Sequence, residues 1–364
     1  MGIKCGVIGC GWIGTLKHIS YIAKTEGVEV AALCDVNEEA MAKAIKDFGL
    51  ENVKCYTDYR ELCADPDVQS VHVCTPNGLH HDMVMEAIKN GKDVFCEKPL
   101  ATSVADGLEM VEAADKAGVK LALGHQRRFM SAVRYIRSMV ENGDFGDVYY
   151  AKAMDARRRG VPTWGAYMDK EVNGGGIIFD GAPHALDLAM YMMNNFRPAA
   201  VQAKVGNHMA DQNTGNPWGT WDPEKMRGVD DTAMALITME NGAVIYLESS
   251  WILNMIGDTN TALICGTKMG ADLKGEGGNA RINTVINDKQ VVFSPEFPPL
   301  PYAEPFIGEL ESSDAQMDDW FDAIRNDRAP FVQGREGLPV LQIIEAAYKS
   351  SETGETVKID KHYI

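Results

Sequence analysis

Gly9-Cys10-Gly11-Trp12-Ile13-Gly14 follows a short apolar run, Ile3 to Ile8, and opens a stretch of helical periodicity. A G-x-G-x-x-G in that place suits dinucleotide binding. The first glycine makes the tight turn, the second lets a pyrophosphate approach the backbone, and the third lets helix pack on strand. The helix start then offers unpaired N–H groups and a positive dipole end to the phosphates. Asp35 ends the second apolar run, 21 residues beyond Gly14. A carboxylate there accepts hydrogen bonds from the adenosine ribose hydroxyls and repels a 2′-phosphate. No arginine follows closely in Val36-Asn37-Glu38-Glu39, so the expected cofactor is NAD rather than NADP. Two further segments concentrate chemistry-bearing residues. One runs from Thr75-Pro76-Asn77 and His80 to Glu97-Lys98-Pro99; the other is Gly174-Gly175-Gly176-Ile177-Ile178-Phe179-Asp180-Gly181-Ala182-Pro183-His184, with Asp187 beyond.

The elements that must position these residues change character along the chain. Strand-like runs at 3–8, 28–34, 53–57, 68–74, 93–96 and 119–123 alternate with helix-like stretches at 13–25, 37–48, 79–90 and 103–117. Asn37 and Ser103 sit where N-caps belong; Gly49, Gly91 and Gly118 sit where helices stop. Near-continuous apolar strands alternating with amphipathic helices predict an α/β Rossmann fold, a doubly wound parallel sheet covered on both faces. After Gly124 a helix-like stretch at 128–141 precedes strands at 147–155, 198–206, 231–239, 243–251, 261–265 and 290–293, several separated only by turns such as Glu240-Asn241-Gly242. That pattern predicts an α+β domain with a large, mostly antiparallel sheet. The expected division is 1–124 for NAD binding and 125–364 for substrate binding and oligomerisation, with a final helix at about 335–350 packing back on the first domain.

Composition narrows the partners. The chain has 364 residues, 45% hydrophobic and 24% charged, the profile of a globular protein with two cores. No run approaches the roughly 20 apolar residues that cross a bilayer, and the N-terminal residues lack a secretion-signal pattern, so a cytoplasmic setting is expected. The formal net charge of −17 repels nucleic acid and anionic membranes. Of eight cysteines, seven lie in the first 96 residues and none forms a C-x-x-C pair, which suits reduced, buried thiols. His80-His81-Asp82 is weak as a metal site, because adjacent helical residues point about 100° apart; no metal is expected.

At T-P-N, E-K-P and the G-G-G…D…H segment the chain resembles the glucose–fructose oxidoreductase/inositol dehydrogenase (Gfo/Idh/MocA) family, and the likeness spans most of the chain. Gly124-His125-Gln126-Arg127-Arg128-Phe129 resembles the family's link between domains. One departure is Ala182, two residues after Asp180, where the family commonly has glycine; a repacked helix start with retained chemistry is expected. The resemblance implies Lys98, Asp180 and His184 as the catalytic group. The chemistry agrees: an imidazole accepts the alcohol proton near neutral pH, a lysine ammonium stabilises alkoxide character, and a carboxylate orients the substrate. The roles of Lys98 and His184 are open to exchange. Cofactor contacts are expected from Gly9, Gly11, Trp12, Ile13, Gly14 and Asp35, and from Thr75, Pro76, Asn77, His80, Glu97 and Lys98 on the nicotinamide side. Substrate contacts are expected from Lys98, Arg128, Arg157, Trp164, Asp180 and His184, with Tyr167 nearby. The long segment 207–228, with Trp218 and Trp221, covers the pocket or makes a subunit contact.

The function these features imply is hydride transfer between NAD and a ring secondary alcohol or ketone of a sugar, cyclitol or glycoside, in a homodimer or homotetramer. Two other readings fit the same motifs: glycoside cleavage through transient ring oxidation and elimination, and a non-catalytic NAD-binding sensor.

Overall fold

Strand β1 (Ile3–Ile8) pairs on one side with β2 (Val28–Cys34) and, through β2, with β3 (Lys54–Tyr56). On its other side β1 pairs with β4 (Ser70–Val73), which continues to β5 (Asp93–Cys96) and β6 (Leu121–Leu123). All five pairings are parallel, in the order β3-β2-β1-β4-β5-β6. The order reverses between β1 and β4, and ligands bind such sheets at the carboxyl ends of strands at this switch point. The computed structural model describes residues 2–274, 279–296 and 308–364, which form two units.

The expected caps are in place. Asn37 accepts from the Glu39 N–H ahead of the helix Glu38–Phe48, and Ser103 accepts from the Asp106 N–H ahead of Val104–Ala117. Gly49 and Gly118 end those helices in the left-handed conformation, as glycine permits without a Cβ clash. The first helix is not regular: it is π-helical over Gly14–Ile19 and α-helical over Ser20–Lys24.

The first unit is not a single stretch of chain. Besides residues 1–125 it takes 313–338. Met317, Trp320 and Phe321 of the helix Gly308–Arg325 are buried in one core with Ile3, Val7, Ile19, Ile22 and Phe95. The Gln316 side-chain amide donates to the Leu123 carbonyl at 2.7 Å.

The second unit holds residues 126–312 and 339–364. Its sheet runs β14-β13-β12-β11-β7-β10-β9-β8-β15. The strands are β7 (Val148–Ala156), β8 (Pro198–Gly206), β9 (Thr232–Met239), β10 (Val244–Ser250), β11 (Thr259–Gly266), β12 (Met269–Lys274), β13 (Asn279–Ile286), β14 (Lys289–Phe293) and β15 (Val357–Lys358). Every pairing is antiparallel except β7 with β10. The helix Ala182–Met192, buried on nearly every side, packs over β7, β10 and β11. Along β9 burial alternates, leaving Met234 and Leu236 exposed on the other face.

The final helix, Leu338–Thr353, expected against the first domain, clusters with the second unit from Pro339 onward; only Leu338 groups with the first. Hydrogen bonds to β8 explain this: Ser350 Oγ accepts from the Ala203 N–H, and Ser351 Oγ accepts from the Val205 N–H, each at 2.9 Å. No helix among the described residues is long and apolar enough to cross a membrane.

Candidate active site

In the first unit the fingerprint glycines divide by role. Gly9 has φ +96°, and a Cβ there would lie 2.7 Å from the Cys74 carbonyl oxygen. A Cβ on Gly14 would lie 1.9 Å from the Gly9 carbonyl oxygen. Those two glycines are demanded by the fold itself: one joins the loops after β1 and β4, and the other seats the helix on the strand. Gly11 is different. A Cβ there would meet nothing within 4 Å, so the fold leaves open room at the position where a pyrophosphate needs it. That is the fit expected for a dinucleotide.

Asp35, just beyond β2, accepts from the Cys10 N–H at 2.7 Å and from the Asn37 N–H at 2.9 Å. Its carboxylate thus fastens the glycine turn, and each oxygen keeps a further lone pair for ribose hydroxyls. Trp12 is 58% exposed beside the turn, and Ile13 is half-buried.

Thr75, Pro76 and Asn77 follow β4 and are half-buried, leading into a 3-10 turn and the helix His80–Lys89. His80 is fully buried. Its Nδ1 lies 2.8 Å from the Pro99 carbonyl oxygen and its Nε2 lies 2.9 Å from that of Thr75. It therefore ties the T-P-N loop to the E-K-P loop. His81 faces the Asp82 and Glu109 carboxylates at 3.1 Å each.

Behind Lys98 lies a buried polar chain that the sequence reading missed. One Glu97 oxygen lies 3.0 Å from His18 Nε2, and the other accepts the Lys98 N–H at 3.2 Å. His18 Nδ1 lies 3.0 Å from His72 Nδ1, and His72 Nε2 lies 3.4 Å from Ser70 Oγ. Ser70 Oγ in turn accepts from the Trp320 indole at 3.2 Å. Burial works to raise the Glu97 pKa, but hydrogen bonding and charge from His18, with Lys17 and Lys98, bring it down to about 2. Burial, and then His18, push His72 well below the usual histidine range.

In the second unit Asp180 ends the single-turn helix Ile177–Asp180, and His184 lies in the first turn of Ala182–Met192. Gly181 between them is in the right-handed helical region, so the four-residue spacing carries both side chains along one helical face. Ala182 is fully buried at the helix start. Asp180 accepts from the Trp251 indole N–H at 2.8 Å, and Arg157 Nη1 lies 3.7 Å from the same oxygen. Arg157 Nε is also 3.6 Å from Asp155, which Arg127 approaches at 3.4 Å. Burial opposes the Arg157 charge, and Asp180 with Asp155 more than offset it and raise its pKa. The parallel pairing of β7 with β10 explains the convergence: Ser249 lies opposite Asp155, so Arg157 and Trp251 leave neighbouring strands at one end of the sheet.

The glycine run has a mechanical reason. Cβ atoms on Gly175 and Gly176 would lie 2.1 Å from the Tyr348 hydroxyl and 1.8 Å from the Asp230 carbonyl oxygen. Asp230 accepts from the Gly176 and Ile178 N–H groups at 2.9 Å and from Tyr348 at 2.5 Å. It therefore caps the turn that carries Asp180. Nothing in the spacing of the sequence points to Asp230, because it acts on residues more than fifty positions away.

Trp164 is 42% exposed, Trp218 is 43% exposed, and their rings meet edge to face at 5.1 Å. Tyr167 stands between Trp164 and Trp251, 6.2 and 6.4 Å from them. Arg157 lies 5.8 Å from the Trp218 ring. Trp221 belongs elsewhere: it is buried and donates to the Ala210 carbonyl. Arg128 corrects an expectation. It is 1% exposed, donates twice to Asp187 through Nε at 3.0 Å, and stacks over Tyr191 and Phe196. A guanidinium so committed holds the helix Ala182–Met192, which also carries His184.

Comparisons with known proteins identify the family of both domains. Residues 3–125 match the family model described as "Oxidoreductase family, NAD-binding Rossmann fold", and 137–359 match "Oxidoreductase family, C-terminal alpha/beta domain". The chain is 29% identical to a D-glucoside 3-dehydrogenase of Escherichia coli over 358 residues, covering 98% of this chain and 97% of the relative. It is 29% identical to a myo-inositol 2-dehydrogenase of Thermotoga maritima over 369 residues, covering 99% of each. Among solved structures, a levoglucosan dehydrogenase in complex with NADH and levoglucosan superposes with a TM-score of 0.85 at 24% identity, over 99% of this chain and all of the other. Since the two family models together take in both the glycine turn and the Asp180–His184 helix, the chain belongs to the Gfo/Idh/MocA family of oxidoreductases, and its first domain is that family's NAD-binding Rossmann fold.

Proposed function

We propose that the chain oxidises a ring secondary alcohol of a sugar, cyclitol or glycoside with NAD, and that it runs the reverse reduction. The observation that carries this reading is the Asp180–His184 pair: a carboxylate held by Trp251 and Arg157, with an imidazole one helical turn further on. NAD, when bound, takes up the hydride. Gly9, Gly11, Trp12, Ile13, Gly14 and Asp35 hold its adenosine and phosphate portion, and Thr75, Pro76, Asn77, Glu97 and Lys98 line its nicotinamide side. His184 accepts the hydroxyl proton, Lys98 stabilises the alkoxide, and Asp180 orients the substrate. An exchange of roles between Lys98 and His184 gives the same balance. Arg157 and Trp164 contact the substrate.

The names of the relatives support this substrate range, because glucoside and inositol carry adjacent ring hydroxyls. The exposed sheet face around Met234 and Leu236 supports self-association as a dimer or tetramer. The eight free thiols, five of them buried, suit a reducing, cytoplasmic compartment.

The test is an NAD-reduction screen against inositols, monosaccharides and glycosides, with glycoside cleavage followed in parallel. NADH accumulation with one class is expected, and Lys98→Ala should lower kcat about a hundredfold or more. Glycoside cleavage without net NADH would replace this reading with redox-assisted elimination. Wild-type behaviour of Lys98→Ala in every redox assay would favour a non-catalytic NAD-binding protein.

A further inference from the structure

Asp180 stands on a closed circuit of side chains within the second unit. From Asp180 the path runs to Trp251 at 2.8 Å, to Tyr167 at 6.4 Å, to Trp164 at 6.2 Å and to Trp218 at 5.1 Å. It returns through Arg157, 5.8 Å from the Trp218 ring and 3.7 Å from Asp180. Burial is graded around this circuit. Trp251 is fully buried, whereas Trp164 and Trp218 keep more than two-fifths of their surface exposed. At an interplanar angle of 76° the two exposed indoles form a corner, with one ring as floor and the other as wall.

Ordinary surface tryptophans owe their position to packing against a core; this pair is held by polar stitches between two loops. The Asn216 side chain accepts the Val161 N–H and donates to the Val161 carbonyl, each at 3.0 Å, and donates to the Gly219 carbonyl at 2.8 Å. The Thr163 hydroxyl donates to the Trp218 carbonyl. Asn213 holds Trp221 at both its N–H and its carbonyl, and the Trp221 indole is fastened to Ala210. The loops are therefore ordered ahead of any ligand, and ordering aromatic faces in advance spares a ligand that cost on binding.

The corner's charge argues against an anionic ligand. Arg157 is engaged by Asp155 and Asp180, and Arg159 donates to the Arg158 and Leu253 carbonyls and to Asn254. A phosphate would compete with those contacts and face the Asp155 and Asp180 carboxylates. A neutral ring with an apolar face needs none of them, because indole faces take sugar C–H faces and aromatic rings by stacking.

We propose that Trp164 and Trp218 form a stacking subsite for the aglycone or second ring of a neutral glycoside, whose sugar ring is presented to Asp180. This deepens the reading above and rests on its placement of Asp180 at the substrate. It makes a glycoside the preferred substrate over the free sugar.

The test compares wild type, Trp164→Ala, Trp218→Ala and Trp218→Phe in two assays. One is NAD reduction with 4-nitrophenyl β-D-glucopyranoside and with D-glucose. The other is calorimetric binding of the nitrophenyl glucoside to NADH-loaded protein. The expected result is a ratio of kcat/KM, glycoside over glucose, that falls about tenfold in each alanine variant and is largely restored in Trp218→Phe. Glycoside binding should weaken by a similar factor. Both tryptophans are half in solvent, so melting temperatures should stay near wild type and show that the variants fold. An unchanged ratio, or no glycoside binding by wild type, overturns the subsite. A sedimentation shift to a smaller species in the alanine variants would assign the corner to a contact between copies and also overturn it. Binding that depends on both tryptophans, with no redox turnover of any sugar, would keep the subsite and instead sink the dehydrogenase reading.

Discussion

Asp35 joins two tasks in one side chain. Its oxygens fasten the Cys10 and Asn37 N–H groups, which shapes the glycine turn, and in the proposed reading the same carboxylate discriminates against a 2′-phosphate. Asp35→Ala should raise the KM for NAD by about tenfold to a hundredfold, the scale of hydrogen bonds to a charged group, and should narrow the gap between NAD and NADP. Steady-state kinetics with both cofactors checks this; an unchanged NAD/NADP ratio would show that discrimination resides elsewhere. Residue chemistry alone was a poorer guide at Arg128. An arginine after the domain link suits substrate binding by type, yet Asp187 and two aromatic rings claim it. Type says what a side chain can do; burial says whether it is available.

At the scale of elements, the polar chain from Glu97 to Trp320 links β5, the first helix, β4 and the helix Gly308–Arg325. Trp320 donates to Ser70 Oγ, His18 holds one oxygen of the Glu97 carboxylate while the other takes the Lys98 N–H, and the His18 and His72 imidazoles meet between them. Both perturbed groups have pKa values below their ordinary ones, so each contributes stability that is present above the ordinary value and lost as pH falls. For His72 that loss begins below about 6.5. For Glu97 it runs from about 4.5 down to about 2 and amounts to about 3 kcal/mol. Denaturant unfolding measured from pH 8 to pH 3 should show a decline in two stages. His72→Phe should shrink the upper stage, to which buried His80 also contributes, and keep the lower one; a profile identical to wild type would show that His72 is not a group responsible. Helix and strand assignments were legible from periodicity and caps in the first unit. The helix Gly308–Arg325 was missed, although Met317, Trp320, Phe321 and Ile324 carry the helical spacing of a buried face. An acidic surrounding sequence lowers its mean hydropathy and hides that stripe.

At the scale of the molecule, the nine-stranded sheet has a helix-covered face and one where Met234 and Leu236 are exposed on β9. Leu236→Glu should shift an assembled species toward monomer by adding a charge to an apolar interface. Analytical ultracentrifugation of wild type and variant at micromolar concentration reads this, and an unchanged distribution would exclude that face. What the sequence determined by itself was local or periodic: the strand–glycine turn–helix, the carboxylate after β2, the alternation that makes a parallel sheet, and the four-residue spacing from Asp180 to His184. These depend on neighbours within a turn or a strand, so their signals lie in short windows. Tertiary structure decided which distant groups complete each local one. Asp230 caps the Asp180 turn, Trp251 and Arg157 hold the carboxylate, His18 and His72 stand behind the Lys98 loop, and Asp187 withdraws Arg128. Such pairings join positions tens of residues apart. Only packing of the folded chain selects them, because the desolvation of a buried polar group must be offset by whichever partner the topology brings within reach.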